Sequence, residues 1–250
     1  MKTKNDKTPQ NETGGVPVVL IRHAQSQWNR ENRFTGWADP PLTGAGIAEA
    51  YAAGAHLREQ GFVFDAACSS RLQRAVTTLD ILLEELEQEA IPREQAWQLN
   101  ERHYGALTGL DKGEATARHG EKQVWRWRRG YQDRAGALSR EDARHSCHDP
   151  MCQDIDPGEL PDVENLAETR ERVMRYWNAA IVPRLRRGER LLISAHGNTL
   201  RALIMALSDM TVEEVERFEI PTAMPIVYHF DRNGMPLDWH YLDKENNQAA

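Results

Sequence analysis

Long apolar runs are missing from this 250-residue sequence, and cysteine is scarce: there are three, Cys68, Cys147 and Cys152. Spanning a bilayer takes about 20 consecutive apolar residues. No stretch supplies them, so no membrane partner is expected. Three cysteines are too few for a disulfide scaffold of this length and read as reduced thiols. Positive charge is also in deficit, with 31 Lys and Arg against 38 Asp and Glu, a net charge of −7. Neutralising nucleic-acid phosphates takes a basic face, so nucleic acid is not an expected partner. A small anion is still admissible where arginines converge in one cleft. The first fifteen residues, MKTKNDKTPQNETGG, lack the apolar core of a signal peptide. They read as a disordered tail on a cytoplasmic protein.

What is present is alternation of strand and helix. Val18, Val19, Leu20 and Ile21 form an apolar run without a polar partner face, as in a parallel sheet covered on both sides. A helix capped by Thr43 follows, with Ile47, Ala50, Tyr51 and Gly54 on one face and Gly61 at its end. Residues 62–68 read as a second strand. Leu72, Val76, Leu79, Leu83 and Leu86 are spaced as the buried stripe of a second helix. From 111 to about 165 the pattern is irregular, helical only around EKQVWRWRRGY. A helix then carries Leu166, Val173, Trp177 and Ile181 and ends before Gly188. Residues 190–195 make another buried strand, TLRALIMAL a helix and 226–230 a late strand. With no repeats and no evident linker, residues 16–250 predict one α/β domain, a mostly parallel sheet with helices on both faces.

In such sheets ligands lie beyond the carboxyl ends of the strands. Three strand ends carry chemistry. The first gives Arg22-His23, the second leads through Ser69-Ser70 to Arg71 and Arg74, and the strand at 190–195 ends in His196-Gly197-Asn198 at a helix N-terminus, which favours anions. A neutral imidazole can attack phosphorus and carry a phosphoryl group covalently. Arginine forks suit the charge spread over the transferring oxygens. A carboxylate must move the proton of the acceptor hydroxyl, and Glu101, in NERHYG, has the residue type and the loop position. His145, Cys147, His148 and Cys152 carry ligand-type side chains, but their spacing matches no common zinc module, so no metal is expected.

The blocks IRHAQSQWNRENRFTGWADPPLTGAG, SSRLQRAVTTLDILLEEL, LNERHYGALTGLDK, QVWRWRRGY and LLISAHGNTLRAL resemble, in this order, those of the cofactor-dependent phosphoglycerate mutases of the histidine phosphatase superfamily. The resemblance implies the three-layer fold of that family and interconversion of 3-phosphoglycerate and 2-phosphoglycerate in glycolysis and gluconeogenesis. It also implies a small anionic phosphorylated substrate, and 2,3-bisphosphoglycerate as phosphoryl primer with no metal. His23 would be the nucleophile, Glu101 the proton donor and acceptor, and His196, Arg22 and Arg74 the groups around the transferring phosphoryl. Ser26, Asn29, Thr35, Gly36, Tyr104, Lys112, Arg128, Arg129, Gly197 and Asn198 would complete the substrate site. A histidine-type phosphatase acting on a phosphorylated small metabolite is the alternative, and a homodimer or homotetramer is left open. Ala24-Gln25 after the histidine, the stretch following Tyr131 and Asn165 depart from the family pattern. With the last strand at 226–230, about twenty residues are left for the tail that closes the family's site. A shorter tail implies easier entry of water to a phosphohistidine.

Overall fold

The computed structural model describes residues 15–242, so the expected tail, residues 1–15, lies outside them except for Gly15. The unalternating apolar run becomes β1 (Val16–Arg22), inside a six-stranded sheet. The other strands are β2 (Ala66–Ser69), β3 (Arg93–Gln95), β4 (Leu191–Ala195), β5 (Pro225–Phe230) and β6 (Pro236–Tyr241), in the spatial order β3-β2-β4-β1-β5-β6. The first four in that order are mutually parallel, whereas β5 and β6 run antiparallel to their neighbours. Helices among the described residues are α1 (Gln27–Arg30), α2 (Gly44–Glu59), α3 (Gln73–Glu85), α4 (Lys112–His119) and α5 (Glu121–Arg129), then α6 (Leu166–Tyr176), α7 (Val182–Arg186), α8 (Gly197–Leu207) and α9 (Val212–Arg217).

Successive side chains of β1 enter different cores, which is why the strand shows no alternation in sequence. Val18 and Leu20 pack with Val173, Leu185, Leu200 and Leu203 of α6, α7 and α8. Val19 and Ile21 pack with Leu57 of α2 and Leu79, Leu82 and Leu83 of α3. This three-layer, mostly parallel arrangement is the expected fold. Its register places the functional strand ends together: Arg22 lies opposite Ala195, and Ser69 opposite Ser194. His23, Ser70 and His196 therefore emerge side by side.

Several boundaries differ from the sequence expectations. Of the expected strand 62–68 only residues 66–68 are paired, because the ladders to β4 and β3 begin at Ala66 and Ala67, and the pairing runs on to Ser69. Ala50 and Gly54 are buried as expected, but Ile47 and Tyr51 are exposed, because the buried face of α2 turns toward Ala53 and Leu57. Val76 is half-buried and Leu72 precedes α3 as its N-cap, while Leu79, Leu83 and Leu86 are buried as the stripe required. The helix from Leu166 passes through a π-helical turn at Trp177–Ile181 before α7. β5 is not the last strand among the described residues: β6 takes residues 236–241 into the sheet, and the rest of the expected tail, residues 243–250, lies outside the described ones. β3 is a short polar edge strand that hydrophobic patterning does not betray, whereas β6, at the other edge, alternates Leu237, Trp239 and Tyr241 with Asp238 and His240, a strand signal that the sequence expectations passed over.

The departures from the family blocks are absorbed locally. The Ala24 methyl is buried against Ala50 and Ile81, and its amide donates to the Thr78 hydroxyl (3.1 Å). Asn165 caps α6 through the Glu168 amide (2.9 Å), and Glu168 returns the bond to the Asn165 amide.

The loop after His23 rests on the start of α2. Thr43 accepts the Gly46 amide hydrogen (2.9 Å), and Glu49 accepts that of Gln25 (2.9 Å). A Cβ on Gly46 would run into the Gln25 carbonyl. Alanine gains about 1 kcal/mol of helix propensity over glycine. Overpacking against rigid backbone costs about 1–3 kcal/mol. Gly46→Ala should therefore lower the melting temperature and reduce activity. A higher melting temperature with unchanged activity would show that this contact does not hold the loop.

Candidate active site

His23 follows β1 directly, its amide donating to the Ala195 carbonyl (2.9 Å), and only 3% of its surface is exposed. Nδ1 lies 2.7 Å from the Ala24 carbonyl, which can only accept, so Nδ1 carries the ring hydrogen. Nε2 keeps its lone pair. Burial, then the charges of Arg74 and Arg22, hold the imidazole pKa well below its usual 6.5. A buried, neutral imidazole with a fixed tautomer is the form a nucleophile requires.

Arg74, from the first turn of α3, is 1% exposed. Its Nε reaches His23 Nε2 (3.3 Å), while its two terminal nitrogens donate to the carbonyls of Ala38 and Gly36 (2.8 Å each). Burial pulls its pKa to about 10, so it stays charged at neutral pH. Arg22 donates from Nη1 to the Ile220 carbonyl (2.7 Å), and its buried Nε has no partner among the described residues. His196 sits behind the cleft wall, fully buried, its ring centroid 5.0 Å from that of His23. Its Nε2 meets the Ser70 hydroxyl (2.7 Å), which accepts the Leu72 amide hydrogen. Its Nδ1 has no partner among the described residues. Burial, then Arg74, keep His196 neutral as well.

The Glu101 carboxylate meets the amides of Arg102 (2.8 Å) and Asn198 (3.2 Å), the latter in the first turn of α8, where the helix dipole favours an anion. Its backbone carbonyl accepts from Trp37 Nε1 (2.6 Å) and from Arg172 (3.4 Å). Arg172 also makes a two-pronged ion pair with Glu164 (2.7 and 2.8 Å) and donates to the Gln98 and Asn100 carbonyls. Glu164 in turn accepts the His103 amide hydrogen (2.9 Å). This buried pair fixes the 97–104 strip, and with it the carboxylate.

A second group of polar side chains lines the same cleft. The Tyr104 oxygen accepts from Asn198 (3.1 Å) and Arg102 (3.3 Å), which leaves its own hydrogen free to donate. Burial would raise its pKa, but the Arg102 charge leads the effects that lower it on balance. Burial lowers that of Lys112, at the start of α4. Arg128 and Arg129 end α5, whose carbonyls at Trp127 and Arg128 are tied down by buried Arg102 (2.7 and 2.6 Å). Asn29, Thr35, Gly36 and Gly197 complete the wall. Gly36 is held at φ +53°, where a Cβ would press on the Tyr104 amide, so glycine is required there.

Of the residues read from sequence, Ser26 does not reach the cleft. It is fully buried and accepts the Asn29 amide hydrogen as the N-cap of α1, and so positions Asn29 instead. Arg33, Arg201, Glu219 and Ile220 line the cleft and were not anticipated. Arg201 carried a signal, an arginine inside an apolar helix. It donates to Asn198 Oδ1 (2.9 Å) and to the Val215 carbonyl. The residues around Cys147 and Cys152 lie on two short 3₁₀ turns and are engaged separately. His145 meets Asp162 (2.9 Å), His148 meets the Arg140 carbonyl (2.8 Å), and Cys152 packs with Trp37 and Trp97. Among the described residues, side chains spaced to hold a metal ion are His229, Asp238 and His240 on the β5–β6 hairpin, away from the cleft lining.

Three buried histidines are kept neutral: His23, His196 and, at a pKa of about 4, His103, each mainly by burial. Their folded values lie below the unfolded value of 6.5, so the stability they confer is full above that pH and is lost as pH falls below it. At pH 5.5 each costs about 1.4 kcal/mol as the unfolded chain takes up its proton, or about 4 kcal/mol together. The urea midpoint should therefore fall clearly between pH 7.5 and 5.5, and nitrogen-detected NMR should show the His23 ring still neutral at pH 5.5. An unchanged midpoint, or a His23 titrating near 6.5, would contradict this electrostatic account.

The sequence model of the histidine phosphatase superfamily (branch 1) matches residues 18–242. Solved structures with this fold include YhfR of Bacillus stearothermophilus, at 23% identity and TM-score 0.67 over 88% of this chain and 94% of that one. A phosphoglycerate mutase from Bacillus anthracis is 22% identical, at TM-score 0.60 over 90% and 93%. A mycobacterial glucosyl-3-phosphoglycerate phosphatase is 22% identical, at TM-score 0.63 over 90% and 96%. At such identities the likeness is one of fold, and the family model carries the assignment. The chain belongs to the histidine phosphatase superfamily, a superfamily of phosphatases and mutases.

Proposed function

We propose that this protein is a cytoplasmic phosphoglycerate mutase, a single catalytic domain that interconverts 3-phosphoglycerate and 2-phosphoglycerate, with 2,3-bisphosphoglycerate as primer and no metal ion. The observation that carries this reading is a second set of anion-binding groups, Tyr104, Lys112, Arg128 and Arg129, in the same cleft as the cage around His23. A phosphate ester with no other charge needs only the cage. The buried, unpartnered nitrogens Arg22 Nε and His196 Nδ1 suit anionic oxygens, and the cationic wall suits a ligand with several charges. When bound, 2,3-bisphosphoglycerate supplies the phosphoryl group that charges His23.

In this reading, His23 Nε2 attacks the phosphorus of a bound ester. The N–P bond forms, the bond to the ester oxygen breaks, and Glu101, entering as the acid, gives that oxygen its proton. In the return step Glu101 takes the acceptor hydroxyl's proton as that oxygen attacks phosphorus and the N–P bond breaks. Arg22 and Arg74 hold the charge of the transferring group without reorganising, which is where most of the rate enhancement in such transfers arises. His196, hydrogen-bonded to the Ser70 hydroxyl through Nε2, adds a buried polar group behind that cage. Lys112, Arg128 and Arg129 retain the acceptor.

A phosphatase acting on a small phosphorylated metabolite is the second reading, with water taking the place of the acceptor. It is favoured by structural neighbours described as phosphatases, among them a putative α-ribazole-5′-phosphate phosphatase of Escherichia coli and the mycobacterial glucosyl-3-phosphoglycerate phosphatase. Purified protein given 3-phosphoglycerate should form 2-phosphoglycerate, faster with added 2,3-bisphosphoglycerate and equally well after exhaustive EDTA treatment. An acid-labile phosphoryl group should appear on His23, and His23→Ala should lose both label and turnover. Release of inorganic phosphate without 2-phosphoglycerate would give the phosphatase reading. Inactivation by EDTA, reversed by added zinc, would overturn the metal-free mechanism.

A further inference from the structure

Two carboxylates stand on the cleft wall, and the proposed chemistry uses only one of them. The other, Glu219, pairs with the Arg129 guanidinium, whose Nη1 also faces the Phe218 carbonyl (3.4 Å). Burial would raise the Glu219 pKa, but the hydrogen bond and charge of Arg129, with Arg201 and Arg22 behind it, hold it below the usual carboxylate range. Glu219 is therefore an anion at neutral pH, paired with one of the cations of the cleft wall.

The two partners differ in their freedom. The Glu219 side chain is 68% exposed and Arg129 only 19%, so the carboxylate can turn into solvent while the arginine stays in the wall. The backbone under Glu219 is latched. Arg22 holds the Ile220 carbonyl (2.7 Å), the Ala223 amide donates to the Arg22 carbonyl (2.9 Å), and the Tyr241 hydroxyl donates to the Glu219 carbonyl (2.9 Å). Ala223 sits at φ +51°, a left-handed conformation that alanine rarely adopts and that these contacts impose. A fixed backbone with a free side chain is what a displaceable counterion needs.

We propose that Glu219 is an internal competitor: it occupies the Arg129 fork until the ligand's own second anionic group displaces it, and so it sets selectivity between phosphate esters with and without that group. The inference rests on the reading of Arg129 as a contact for the second anionic group. A ligand without such a group leaves the Glu219–Arg129 pair intact and is indifferent to it. A ligand that carries one must break the pair first, and its apparent affinity is reduced accordingly.

The test is calorimetric binding of 3-phosphoglycerate and of phenyl phosphate to the full chain carrying His23→Ala, which rules out turnover and makes the result independent of mutase activity. Glu219→Gln keeps the shape, removes the charge and lies at the surface. It should tighten 3-phosphoglycerate about fivefold, the upper range for a partly exposed ion pair, and change phenyl phosphate less than twofold. In an Arg129→Ala background the same substitution should have no effect, since there is no fork to release. Unchanged or weaker 3-phosphoglycerate binding, or equal tightening of both probes, would overturn the proposal. If Arg129→Ala alone leaves 3-phosphoglycerate binding untouched, the assignment of Arg129 falls, and the competitor role with it.

Discussion

Everything in the cleft depends on an imidazole that stays neutral among arginines. His23 is buried beside Arg74 and near Arg22, and its Nδ1–H is spent on the Ala24 carbonyl. An unpaired buried charge is costly, so protonating His23 there would place a third cation in a low-dielectric pocket. The same arrangement that keeps Nε2 unprotonated aims fixed positive charge at whatever anion arrives. The proposed nucleophile and its clamp are thus one electrostatic device.

That device requires arginines whose geometry the chain itself fixes. Arg74 donates to the backbone carbonyls of residues 36 and 38, with Asp39 at 3.8 Å from its Nη1, and Arg102 and Arg201 are bound to carbonyls of neighbouring segments. Their charge stays in the cleft while their geometry is fixed by the chain. The buried Arg172–Glu164 pair does for the Glu101 strip what the strand register does for His23 and His196. The Asn198 amide then holds the carboxylate at the N-terminus of α8, in the same cleft as the proposed nucleophile.

Much of this was legible in the sequence, for a physical reason. Strands buried on both faces leave long apolar runs, so β1 and β4 and the polar residues that end them stand out. At the edges the trace is weaker: β3 is three polar residues, and β6 shows only a short alternation of Leu237, Trp239 and Tyr241 with Asp238 and His240. Ser26 has the residue type of a phosphate contact but serves as a helix cap, a difference only the local backbone decides. Arg201 was visible as a charge in an apolar helix, whereas Glu219, in the irregular stretch after α9, had no periodicity to mark it. Its place on the wall comes from the way residues 218–223 are latched to Arg22.

The central claim is that His23 carries a phosphoryl group and delivers it to an acceptor held by the second set of cations. The most direct measurement is a chase of isotopically labelled phosphoenzyme with 3-phosphoglycerate, quenched on the millisecond scale, with the label followed into products. The account predicts that the label leaves His23 for an organic phosphate far faster than it appears as inorganic phosphate, and that Arg129→Ala slows the first path much more than the second. Label released chiefly to water, at a rate that 3-phosphoglycerate does not alter, would contradict it.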